Sequence, residues 1–95
     1  MSVFAVIGDF DASSEAMQNA VKRAYPEKHV QVGEKSFFVD APKGMTTAQV
    51  SDGLGIEKGS KMSGVVVVRL SGTYWGVAKS DLWEWLKSAM ERDDG

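Results

Sequence analysis

Ninety-five residues, 43% of them hydrophobic and 25% charged, suit one modest core that hides roughly 60 to 65% of the unfolded surface, with no room for a second domain. Eleven basic against thirteen acidic side chains leave a net charge of −2, which gives no overall pull toward nucleic acid yet allows a local basic patch. The absence of cysteine excludes disulfides, thiolate metal sites and cysteine nucleophiles, and fits a reducing compartment.

The apolar run Val3 to Ile7, closed by Gly8 and the acidic loop Asp9-Phe10-Asp11, predicts an interior strand. It has no basic leader and is too short for a signal peptide or a membrane span, so a cytoplasmic protein is expected. Between residues 13 and 25 the period changes. Met17, Ala20, Val21 and Ala24 recur at helical spacing, Asp11 or Ser13 can cap the start, and Pro26 stops the helix. His29-Val30-Gln31-Val32 and Lys35-Ser36-Phe37-Phe38-Val39 then read as two strands hinged at Gly33-Glu34 in a type II′ turn, or as one strand bulged at the glycine. Thr46-Thr47-Ala48-Gln49 has capping-box spacing and opens a short helix whose Val50 and Leu54 face the core, ended by glycine. Residues 56–63 read as a polar loop.

The valine run Val65 to Val68 is the densest signal in the chain. Stiff β-branched side chains in an unbroken apolar run predict a central strand covered on both faces. Ser71-Gly72 then predicts a tight hairpin into a further strand, Thr73 to Ala78. Ser80-Asp81 opens a last helix with Asp81 and Glu84 at capping-box-like spacing. Its apolar residues Leu82, Trp83, Trp85, Leu86, Ala89 and Met90 cover more of the cylinder than one packing face needs, and residues 91–95 read as a frayed end. The first six elements, βαββαβ, have the order of the ferredoxin-like α+β fold, here with an added C-terminal strand and helix in a single domain, 1–95. Right-handed crossovers put the first and third strands in the middle and the first two helices on one face. The other face then needs a cover, from the last helix or from a dimer partner.

Val6-Ile7-Gly8-Asp9, Lys35-Ser36-Phe37-Phe38-Val39-Asp40, the stretch from Val65 to Trp75, and Trp85-Leu86-Lys87 resemble the small SinR-like proteins. That group is related in fold to the small nuclease-like subunit of CRISPR adaptation, and the likeness spans most of the chain. The resemblance implies a ferredoxin-like fold and a homodimer built around the sheets and the terminal hairpin. In the CRISPR relatives an aspartate at the end of the first strand is the proposed metal-binding residue for phosphodiester cleavage, and Asp9 occupies that place. Two departures weaken the catalytic expectation. The relatives usually have Tyr-Asp where this chain has Gly8-Asp9, and basic residues early in the first helix where Ser13, Ser14 and Glu15 stand.

Asp9 and Asp11 are nevertheless the best catalytic and metal-binding candidates, because two hard oxygen ligands at a strand end, doubled by a dimer axis, can hold Mg²⁺ or Mn²⁺ and activate water. The plainer reading makes Asp9 a strand end and Asp11 a helix cap. His29 is alone, without the partners that a metal site or an activated nucleophile needs. Gly59-Ser60-Lys61 lacks the spacing and the following helix of a phosphate loop. Lys58 with Lys61, and Lys22 and Arg23 with Lys28, form two small basic groups that solvation explains as well as nucleic acid does. The aromatic residues of the C-terminal part fall within apolar runs, so Trp75, Trp83 and Trp85, with Met90, are expected at an interface rather than as base-stacking platforms. The expectation is a non-catalytic, self-associating or partner-binding protein without a cofactor. The alternative is a metal-dependent nuclease resting on Asp9.

Overall fold

The structure, a computed structural model, describes residues 2–70 and 80–91, with the side chains of the last helix described for residues 82–89. Its elements follow as β1 (Ser2–Gly8), α1 (Ser14–Ala24), β2 (His29–Gly33), β3 (Ser36–Ala41), α2 (Thr47–Gly53), β4 (Val65–Arg69) and α3 (Ser80–Glu91). The result is an α+β fold with a four-stranded sheet in the order β2-β3-β1-β4, every neighbouring pair antiparallel. The first and third strands are in the middle, as the crossover argument requires. The expected strand Thr73 to Ala78 and its Ser71-Gly72 turn lie outside the described residues, as do residues 92–95.

Strand pairing sorts the side chains onto two faces, because directly opposed residues share a side of the sheet. Phe4 opposes Val39, Val6 opposes Phe37 and Val67, and Gly8 opposes Val65. On this side α1 contributes Met17, Ala20 and Val21 and α2 contributes Val50, with Leu54 at its end, to one continuous core. Phe4, Val6, Met17, Val21, Phe37, Val39, Val50 and Leu54 are all buried to within about a percent, and each fully buried side chain of this kind contributes about 1.5–3 kcal/mol. On the other side Val3 packs with Leu86 and Ala89 of α3, bordered by Phe38, Leu70, Trp83 and Trp85. The last helix is therefore the cover that the second face needs, over one part of it.

The helix ends follow local chemistry. Ser13, not Asp11, caps α1, its hydroxyl accepting the Ala16 N–H at 3.1 Å. Ala24, expected on the apolar stripe, is exposed, and Tyr25 beyond it is buried. Thr46 and Gln49 form the full capping box, at 3.1 and 2.9 Å. At the other end of α2, Gly55 adopts φ 74° while its N–H donates to the Asp52 carbonyl and the Ile56 N–H to that of Ser51, the Schellman arrangement in which a left-handed residue closes the orphan carbonyls. Helix α3 already includes Asp81, which places that residue inside the first turn rather than at the cap. Among the described residues no helix is long and apolar enough to cross a membrane.

Two strand expectations change. Residues 29–40 form a hairpin, but its loop is Glu34-Lys35, with Gly33 paired to Ser36 and a register shift between Gln31 and Gly33. Gly33 is not at positive φ, so the type II′ turn is replaced by a loop with negative φ and an upstream bulge that restores the twist. The bulge and the hairpin, read as alternatives, coexist. The valine strand β4 is at the sheet edge among the described residues, pairing with β1. Val66 and Val68 are 57% and 48% exposed. An unbroken valine run suits any pleated surface and does not distinguish a covered face from an open one.

Candidate functional site

The loop after β1 carries the two aspartates, and its backbone is tied on three sides. The Asp9 N–H donates to the Gly64 carbonyl at 2.8 Å, and the Ala12 N–H to the Asp9 carbonyl at 3.2 Å. The Asp9 Oδ1 accepts the Asp11 N–H at 2.9 Å, an Asx turn in which the side chain stands in for a backbone acceptor. From the β2–β3 loop, Lys35 Nζ donates to the carbonyls of Phe10 at 2.8 Å and Asp9 at 3.3 Å. Two glycines make room for this knot. A Cβ on Gly8 would lie 2.6 Å from Met17 Sδ and 2.8 Å from Ala12 Cβ, and one on Gly64, at φ 86°, would lie 2.6 Å from Asp9 Oδ1.

Asp9 thus has a structural task that occupies one of its oxygens, and Asp11 joins it through the backbone. Among the described residues no group of three or more His, Asp or Glu side chains is placed to hold a metal ion. Gly64→Ala should destabilise the protein by about 1–3 kcal/mol, from the left-handed backbone together with the displaced Asp9 carboxylate. Urea melts compared with wild type measure this, and equal midpoints would show that the Asp9–Gly64 approach is not maintained.

The knotted loop projects Phe10 fully into solvent, and beside it the second face of the sheet stays open among the described residues. Ile7 opposes Val66 and Ala5 opposes Val68, so Ile7, Val66 and Val68 form an uncovered apolar stripe, with Ile7 44% exposed. Helix α3 lies against β1 and β2, over the Val3 end of this face, where Phe38 and Leu70 border it. Of the residues expected at an interface, Trp83 and Trp85 are half-buried against the second core. Trp85 stacks on Phe38 with ring centroids 6.4 Å apart and an interplanar angle of 29°. Trp75 and the Met90 side chain lie outside the described residues.

Two of the surface clefts bring titratable side chains together. One, of about 520 Å³, is lined by Tyr25, Pro26, Lys28, Asp40 and Pro42 among others. Asp40 is buried there, its N–H donating to the Lys28 carbonyl at 2.8 Å, and an Asp at a strand end gives no sequence signal of burial. His29 bonds through Nδ1 to the Tyr25 carbonyl, so its observed role is at a strand start. Burial raises the Tyr25 hydroxyl above the usual 10.0 by disfavouring the phenolate. Tyr25 therefore contributes stability that is complete below the ordinary tyrosine range and is lost as pH rises through its raised value. Tyrosinate absorbance in a Tyr74→Phe background should show Tyr25 ionising later than free tyrosine, with unfolding following; titration at the ordinary value would contradict its burial.

The second cleft, of about 320 Å³, brings Arg23 of α1 and Lys61 of the loop before β4 to one opening. The sequence had placed these in separate basic groups. Met62, beside Lys61 in a stretch that reads as polar, is buried and joins the main core.

Comparison with family models, with curated proteins and with solved structures gave no match.

Proposed function

We propose that this chain is a non-catalytic ferredoxin-like domain that works by self-association, as a homodimer formed across the side of the sheet that α3 leaves open. The observation that carries this reading is the stripe of Ile7, Val66 and Val68 on the open face, with the fully exposed Phe10 at its end. An apolar surface of this kind on an edge strand and its neighbour favours a protein partner over bulk water. The open parts of Trp83 and Trp85 belong to the same proposed interface, as do Trp75 and Met90 on sequence grounds.

The ferredoxin-like reading is supported by the β2-β3-β1-β4 order with antiparallel neighbours and by α1 and α2 packing on one face. Kinship with the SinR-like proteins and a cytoplasmic setting are parts of the proposal that rest on the residue patterns and the cysteine-free composition. Light scattering at micromolar concentration tests the reading directly. A mass of two chains is expected, and a single-chain mass overturns it.

The nuclease alternative has less behind it, because the Asp9 carboxylate already accepts the Asp11 N–H and faces Gly64. It would require cleavage of RNA or DNA with Mg²⁺ or Mn²⁺ that disappears in Asp9→Ala.

A further inference from the structure

The cleft between α1 and the loop before β4 presents two cations on backbones fixed from different directions. Arg23 stands in the last turn of α1. Lys61 is held between two anchors. Before it, the Ser60 hydroxyl lies 3.0 Å from the Gly55 carbonyl and 2.9 Å from that of Glu57, and accepts the Met62 N–H at 3.1 Å; after it, the Met62 side chain is buried. Asn19, one helical turn before Arg23, adds an amide at the same opening, and Ala20, Leu54 and Met62 line its apolar part. No carboxylate is among the described residues that line it, although the chain as a whole is acidic.

We infer that this cleft binds a phosphate group, carried by a small phosphomonoester, through Arg23, Lys61 and Asn19. Arg supplies paired N–H donors matched to phosphate oxygens, Lys a mobile point charge and Asn an uncharged donor. Both cations reside on backbone already fixed before a ligand arrives, which lowers the ordering cost of binding. A volume of about 320 Å³ is at the small end of ligand pockets, enough for a phosphate and a modest attached group beside the half-buried Ala16. The inference is independent of self-association, since no residue of the cleft belongs to the open stripe on the other face of the sheet.

The test is amide NMR on the full chain titrated with inorganic phosphate, with adenosine 5′-monophosphate and with a short single-stranded oligonucleotide. Shifts confined to residues 16–23 and 54–62 are expected, with the monophosphate binding at least as tightly as phosphate alone. Lys61→Gln should weaken binding by about tenfold, the loss of one charge-assisted hydrogen bond. It is the cleaner variant, because Arg23 also complements the dipole at the end of α1. Arg23→Lys should retain part of the affinity and Arg23→Gln should not. An oligonucleotide that binds more tightly than the monophosphate at the same residues, with a steep salt dependence, would place the phosphate in a nucleic acid and overturn the choice of a small molecule. Absent shifts, or shifts unchanged in Lys61→Gln, would overturn the site itself.

Discussion

Phe4→Ala should destabilise the protein by about 3–5 kcal/mol, the usual cost of removing a fully enclosed aromatic ring. Phe4 is fully buried and is paired with Val39 and Arg69 in the middle of the sheet. It belongs to the core that both α1 and α2 enter, so no single neighbour can move to fill the space it would leave. A domain of this size is stable by about 5–15 kcal/mol, and the variant should melt at least about 10 °C lower or fail to fold at the growth temperature. Ile7→Ala on the same strand is the internal control. Ile7 is 44% exposed on the opposite face, and at concentrations too low for association its truncation should cost less than half as much. Equal losses at the two positions would mean that the two faces of β1 are not distinguished in the way the pairing requires.

Val66→Lys with Val68→Lys should leave the fold intact and remove self-association. Both side chains are about half exposed and on the open face of a strand that is at the edge among the described residues, where lysine is tolerated and is a common guard against pairing. Each buried valine lost from an interface removes about 1.5–3 kcal/mol, and the new charges must be dehydrated as well. Together they should weaken association by at least about a hundredfold. Phe10→Ser should act in the same direction with a smaller effect on stability, because the ring is fully exposed in the single chain.

Local signals in the sequence carried most of the fold. The Thr46-Gln49 box, the Ser13 cap and the apolar spacing of Met17, Ala20 and Val21 each depend on residues within a turn or two of one another, and all are present. The run Val3 to Ile7 was legible as a strand for the same reason. What was not legible depended on distant partners. Val65 and Val67 face the main core, whereas the cover of the second face of β4 depends on where α3 lies, and α3 rests on β1 and β2, leaving Val66 and Val68 open. Met62 is buried because the Ser60 knot turns the loop inward, which composition alone reads as polar. The hairpin loop moved by one residue because the bulge before Gly33 shifts the register.

The candidate site divides in the same way. Asp9 was identifiable as the residue at the end of β1, and its neighbours were not. Gly64 and Lys35 reach it from 55 and 26 positions away in the chain, and they give the catalytic candidate a structural task as the tie of a loop. Arg23 and Lys61, 38 positions apart, become one cleft only once α1 and α2 are laid on the same face of the sheet.

Sedimentation equilibrium on the wild type and on the Val66→Lys, Val68→Lys variant decides whether the open face self-associates. A wild-type mass of two chains at micromolar concentration and a single-chain mass for the variant are expected, with both folded by near-ultraviolet circular dichroism. A wild type that stays a single chain across that range, or a variant that associates as well as the wild type, would contradict self-association through that face.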